Sequence, residues 1–255
     1  MIQRRDLLIG ATSCLAACAT PDGVADLDVV LRNYARARGG VAALNAVRST
    51  LNVCEIVEPT FTVNGRYIAT TNGRMRVDVF YDGARAFSEG IDDEGAWSWP
   101  SDAAAPSPAT PVARAALAHG IEFNLFGLQA LPRRGHTLTL EGREEIAGIE
   151  YYKVKLRLAG GFETWRYVNP ETWLPDRGRD LRALNPDVDT TQIPIETENM
   201  DFRAVSGVLT PFRWVQRNVQ TNEELQHGTI RMLNYNVPAD VLNFLRGAPV
   251  ITPAP

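Results

Sequence analysis

The sequence predicts an α+β protein that is mainly β, with one curled antiparallel sheet and a few helices packed against it. Three observations lead there. Most of the 255-residue chain alternates apolar and polar residues with period two, the pattern of half-buried strands. The alternating stretches are punctuated by short turn signals such as Asn72-Gly73, Asp82-Gly83 and Ser206-Gly207, and tight turns of this kind join antiparallel neighbours. Parallel strands would need long crossovers between them, and the spacing leaves no room for those.

The elements follow in order. Leu27, Val30, Leu31 and Tyr34 recur at helical spacing, with Asp26 placed to cap the first turn. Gly39-Gly40 interrupts, and Val41, Leu44 and Val47 continue the same period, so two helical pieces bend at the glycine pair. Strands are expected over residues 50–58, 61–70, 74–81, 84–89 and 96–99 as a meander. Residues 101–111 are rich in Ala, Pro and Ser and read as a loop, and a second helical stretch covers about 112–128. Gly120 and Gly127 interrupt that stretch. Strands resume over 136–142, 152–158, 162–168 and 173–181, and a polar loop spans 185–195. The last strands cover 196–204, 209–219 and 224–234, followed by a short helix over 239–245 and a Pro-rich tail over 246–255. The expected total is about ten strands without a domain-sized linker, hence one domain over 26–245.

Composition narrows the function. The chain is 45% apolar and 22% charged, with a formal net charge of −4, which excludes disorder over its whole length. Lys153 and Lys155 are its only lysines and it has no basic excess, so neither nucleic acid nor an anionic membrane surface is an expected electrostatic partner. No apolar run approaches the roughly 18 residues needed to span a bilayer.

Residues 1–17 read as a removable signal: Arg4-Arg5, a short apolar centre and a small-residue end. The ending Leu15-Ala16-Ala17-Cys18 resembles the bacterial lipobox, which implies acylation of Cys18, palmitate-type chains included, and a tether over 18–25. Two or three acyl chains at about 0.8 kcal/mol per methylene hold a protein stably on a membrane. Ala19 follows Cys18 where Asp would mark inner-membrane retention in such signals, so the expected location is the periplasmic face of the outer membrane. Cys14 leaves with the signal and Cys18 is acylated, so Cys54 has no intrachain partner for a disulfide.

Several stretches taken together resemble the outer-membrane lipoprotein-sorting proteins, the periplasmic lipoprotein carrier and its outer-membrane receptor. They are the lipobox, Ala37-Arg38-Gly39-Gly40, the run from Tyr151-Tyr152-Lys153-Val154 through Asn169-Pro170-Glu171-Thr172-Trp173-Leu174-Pro175, and Ser206-Gly207-Val208-Leu209-Thr210-Pro211. The likeness covers about residues 26–245 and carries no catalytic signature. It implies an unclosed antiparallel β-barrel of about 10–11 strands with helices over an apolar concave face that holds acyl chains. The implied partners are lipid acyl chains or lipoproteins and a membrane reached through the N-terminal anchor. A monomer without cofactor or metal is expected.

Alternation then nominates the cleft. Met75, Val77 and Val79 share a face, as do Tyr152, Val154 and Leu156; Trp97 with Trp99 and Phe212 with Trp214 form two further pairs, and Phe123 and Phe126 are candidates for the lid. Burying about 12 methylenes gives an upper bound near 10 kcal/mol before ordering costs, against about 8 kcal/mol for micromolar affinity. The bland alternative makes these residues ordinary core between sheet and helix.

Catalysis finds little support. His119, His136 and His227 lack zinc spacing, Ser88 and Ser98 lack a nucleophile elbow, and Cys54 lies mid-strand. Asp92-Asp93-Glu94 before Gly95 reads as a solvated hairpin turn. The competing non-enzymatic reading is an envelope sensor or protein-interaction module that uses the same curved sheet.

Overall fold

The computed structural model describes residues 26–183, 191–238 and 244. The signal, Cys18 and the helix expected over 239–245 lie outside them, apart from Phe244. The chain opens with α1 (Leu27–Ala37) and α2 (Val41–Ala46). A meander follows: β1 (Ser49–Val57), β2 (Thr62–Thr70), β3 (Met75–Tyr81), β4 (Ala84–Asp92), β5 (Gly95–Pro100) and β6 (Ser107–Pro108). Next come α3 (Pro111–Leu125) and a 3-10 helix (Leu128–Arg134). The second run is β7 (Thr137–Ile146), β8 (Ile149–Arg157), β9 (Glu163–Val168), β10 (Arg177–Arg182), β11 (Ile193–Val205), β12 (Val208–Asn218) and β13 (Glu224–Tyr235).

All thirteen strands form one sheet in the order β6-β5-β4-β3-β2-β1-β13-β12-β11-β10-β9-β8-β7. Every pairing is antiparallel, and β1 closes the chain's two halves together through β13. The edges β6 and β7 do not pair, so the barrel is unclosed.

The strand count exceeds the expected one for local reasons. Ser107-Pro108 in the Pro-rich insert pairs with Trp97 and Ser98, a position at the sheet edge where a missing N–H costs nothing. Residues 173–176 are irregular rather than strand, because they follow a turn at 170–172 in which the Asn169 side-chain oxygen accepts the Glu171 and Thr172 amides at 2.9 and 3.3 Å, and Trp173 takes φ +58°. The helices start from identifiable signals. Thr110 accepts the Ala113 amide at 3.2 Å with Pro111 at the first turn of α3. Asp26 occupies the N-cap of α1, but its side chain makes no capping hydrogen bond.

Register sorts the two faces. Ala69, Met75 and Ile91 are paired neighbours on the concave side, and α1, α2, α3 and the 3-10 helix pack there. The main core lies between them, built from Val30, Tyr34, Leu117, Ile121, Leu131, Val154, Leu156 and Val168 among others. On the convex side, Leu51 and Ile68 meet Phe244. Beside them Asp78 is wholly buried, accepting from Arg76 Nε at 2.8 Å and Ser88 Oγ at 2.7 Å, with Arg66 at 3.6 Å. Further round, Glu144, Lys153, Arg179, Glu196 and Arg177 form a ladder of ion pairs.

One close approach seats the helices. Gly39 adopts φ +113°, and a Cβ there would fall 1.9 Å from the Gly207 carbonyl oxygen in the β11–β12 hairpin. The Leu209 amide donates to the Arg38 carbonyl at 2.9 Å across the same contact. The two glycine-bearing motifs of the sequence therefore meet, and they dock the α1–α2 bend onto the sheet. Gly40 also has positive φ, +94°, but nothing lies within 4 Å of its Cβ position. Gly39→Ala should lower stability by about 2 kcal/mol or more, and Gly40→Ala by only about 1 kcal/mol of backbone strain. Urea unfolding of the two variants, compared with the parent, measures the difference.

Candidate functional site

Between the concave face and the helices lies a cavity of about 1480 Å³, larger than the roughly 300–1,000 Å³ of sites for small ligands. Its roof is α3, whose buried stripe of Ala113, Leu117, Ile121 and Leu125 faces the sheet. Tyr67 reaches up from β2 to donate to the Gly120 carbonyl at 3.4 Å. Burial pushes the Tyr67 phenol up, so it stays a neutral donor.

The C-terminal half of α3 is pinned. Glu122 accepts from Arg134 at 2.6 and 2.7 Å and contacts His136 Nε2 at 3.0 Å. His136 Nδ1 accepts the Ala159 amide at 3.1 Å, which leaves the ring proton on Nε2, toward Glu122. Burial alone would raise the Glu122 carboxyl, but the hydrogen bonds and charges of Arg134 and His136 hold it below its usual range. Arg134 also lies over the Phe126 ring at 3.6 Å, and Phe162 stacks on His119 at 4.4 Å. The N-terminal half of α3 is held less: Pro111, Val112, Ala115 and Ala116 line the cavity, with Val112 54% exposed. Across from it Phe87 of β4 lines the cavity and is 37% exposed. These apolar residues form the mouth.

The residues nominated from the sequence fall into three groups. Met75, Val77, Phe123, Phe126 and Trp214 line the cavity. Tyr152, Val154 and Leu156 are on the same concave face but are packed into the core, with Tyr152 stacked on Trp173 at 5.2 Å; Phe212 is buried beside Cys54 and Ile230, and Val79 is buried. Trp97 and Trp99 face the other way. Trp97 pairs with Gly90 and thence with Arg76 and Ile68, the convex set, because the hydrophobic parity of Ala96, Trp97, Ser98 and Trp99 is inverted: Ala96 and Ser98 take the concave positions beside Ile91 and Glu89. Aromatic size pointed to the wrong face.

Sequence reading also passed over the polar part of the wall. Arg38, Arg166, Asp180 and Arg182 line the cavity, and so do Thr197 and Gln216. The alternation Thr164, Arg166, Val168 was the available signal, since it places an arginine at an inward position of β9 between two buried residues. Cys54 faces inward from β1 across from Gly65. Burial pushes its thiol up to about 11, so it stays protonated and behaves as a small apolar core group beside Phe212 and Ile230.

No family model and no curated protein matches this sequence. The fold itself is that of lipoprotein-sorting proteins: an open antiparallel half-barrel with helices over its concave face. Among solved structures, the chain is similar to a LolA superfamily protein from Nitrosomonas europaea, with 12% identity and TM-score 0.55 over 85% of this chain and 96% of that one. It is similar also to an outer membrane lipoprotein-sorting protein domain from Vibrio parahaemolyticus, with 8% identity and TM-score 0.51 over 80% and 91% of the two chains. A DUF1329 family protein from Desulfovibrio piger gives 11% identity and TM-score 0.51 over 82% and 93%. Among the described residues no helix is long and apolar enough to cross a membrane.

The roof carries a titratable contact. Burial lowers the pKa of His119 below its ordinary 6.5; Asp180 and Glu122 favour its charged form, and His136 opposes it. A folded pKa below the unfolded one means that the neutral ring contributes stability above about pH 6.5, lost as pH falls through the folded value. Protection factors of the α3 amides, corrected for the pH dependence of intrinsic exchange, should therefore fall as pH drops from about 7 to about 5. His119→Phe should flatten that dependence, and an unchanged profile would remove His119 from the control of the roof.

Proposed function

We propose that this protein is a non-enzymatic envelope lipoprotein that holds acyl chains of lipids or lipoproteins in the cavity, for lipoprotein sorting or lipid transfer at the outer membrane. The observation that carries the reading is a large cavity between the concave face and α3, with an apolar wall and an apolar rim. Its inner wall offers Met75, Val77, Leu117, Phe123 and Phe162 to a chain, and its mouth is rimmed by Val112 and Phe87. Such a wall recognises length and apolarity, and each methylene removed from water adds about 0.8 kcal/mol. The shared fold with lipoprotein-sorting proteins supports the same reading. The lipobox ending at Cys18 places the protein on the periplasmic side of the outer membrane, held by its own acyl chains.

Mass spectrometry of organic extracts of the purified protein should find co-purified lipid, and a neutral fluorescent apolar probe such as phenylnaphthylamine should enter the cavity. Val77→Asp introduces a charge into the wall and should weaken probe binding by about tenfold or more while the β circular-dichroism signal persists. Absence of both lipid and probe uptake in the parent protein would refute the reading. For the anchor, Cys18→Ala should move the protein from the membrane fraction to the soluble fraction on cell fractionation.

A further inference from the structure

Among the described residues, two guanidinium groups of the cavity wall have no carboxylate within ion-pair distance. Arg166, on β9, projects inward beneath α3 with its guanidinium carbon 4.7 Å from the Phe123 ring centroid. Its contacts are neutral: Nη1 donates to Thr164 Oγ1 at 2.9 Å and to the Trp165 carbonyl at 3.4 Å. The group has been given room. A Cβ on Gly178, its neighbour on β10, would fall 2.6 Å from Arg166 Nη1, so the guanidinium lies where a side chain would otherwise stand.

Arg38, at the end of α1, is the second. Its Nη1 donates to the Tyr34 hydroxyl at 3.4 Å and its Nε is buried without a partner. Both arginines line the same cavity, and so does Tyr34, whose phenol Arg38 touches. The carboxylates of the wall are engaged elsewhere. Asp180 pairs with Arg182 at 3.1 Å, Glu122 with Arg134 at 2.6 Å and Glu163 with Lys155 at 2.9 Å, and Glu89 lies on β4 in the other half of the sheet. Among the described residues neither Arg38 nor Arg166 has a carboxylate within ion-pair distance.

A charge taken from water and left without a counterion costs stability, and folded proteins ordinarily pair it. Burial lowers the Arg166 pKa, with Asp180 offsetting part of that effect and Arg182 adding to it. Guanidinium suits planar or tetrahedral oxyanions because it donates in a fork.

We propose that the cavity is selective for anionic amphiphiles, with the ligand's carboxylate or phosphate bound by Arg166 and Arg38 beside Tyr34 and its acyl chain lying along Met75, Val77 and Phe123. This rests on the acyl-binding reading above and adds the headgroup charge to it. Neutral and cationic lipids with the same chain are disfavoured, because they leave both guanidinium groups without an anion.

The test is displacement of phenylnaphthylamine from the purified protein by three ligands with the same chain: palmitate, hexadecanol and a palmitoyl lysophosphatidic acid. At least one of the two anions should displace the probe at a concentration lower than hexadecanol by about tenfold or more. Preference for palmitate assigns the site to free fatty acids, and preference for the lysophosphatidic acid assigns it to lipid phosphates. Arg166→Met and Arg38→Met should each reduce the ratio toward one while probe uptake persists, and Arg166→Lys should restore part of it. Thermal stability of Arg166→Met should be equal to or above the parent's, since the variant relieves an unpaired cation; a purely structural arginine would lower stability and leave the ratio intact. Equal displacement by all three ligands from a protein that binds the probe would overturn the anion site and leave acyl binding standing. A protein that takes up no probe would overturn both.

Discussion

Coverage of a single curved sheet governs this molecule. Thirteen strands in one antiparallel order generate a broad concave face, and sheets of this width twist and coil because each strand is rotated against its neighbour. The only helices among the described residues that pack on that face are α1, α2, α3 and a short 3-10 segment, of 11, 6, 15 and 7 residues. Where they pack closely on the sheet, Val154, Leu156, Val168 and Ala69 are wholly buried, and elsewhere they stand off from it. The cavity is the space left between the concave face and the helices that roof it.

The same constraint explains how the helices are held. A helix over an open space cannot be fixed by packing alone, so polar contacts do the positioning at particular points. Gly39 on Gly207 fixes the α1–α2 bend, Tyr34 bridges α1 to the Leu128 amide at 3.3 Å, and Glu122 with Arg134 and His136 fixes the far end of α3. The near end of α3 relies on its Thr110 cap and on small residues, Ala115 and Ala116, facing the cavity. A roof anchored at one end and light at the other suits the passage of a long flexible ligand, since opening need not break the core.

Electrostatics divides the two faces by function. On the convex face arginines are matched by acids: Arg177 and Arg179 share Glu196, and Arg76 is set against the buried Asp78. Inside the cavity the contacts of Arg38 and Arg166 among the described residues are hydroxyls, a carbonyl and aromatic faces. The net charge of the whole chain says nothing about these two cations, because it sums over surfaces that a ligand never sees together.

Local rules carried most of the architecture. Period-two alternation and the Asn72-Gly73, Asp82-Gly83 and Ser206-Gly207 turns define the antiparallel meanders, since a strand's side-chain period and a tight turn are properties of a few adjacent residues. The bend at Gly39-Gly40 was equally legible. What alternation could not assign is which parity faces inward: the tryptophans at 97 and 99 go to the convex side, while Ala96 and Ser98 go to the concave side, where Ser98 lines the cavity. Nor could it separate cavity wall from core on one face, so Met75 and Val77 line open space whereas Val154 and Leu156 lie under the helices. Those distinctions depend on where α1 and α3 come to rest, and on which residues distant in the chain share a wall. Arg38 and Arg166 are 128 positions apart in sequence (166 − 38), and only the closure of the sheet through β1 and β13 turns the two arginines toward one cavity.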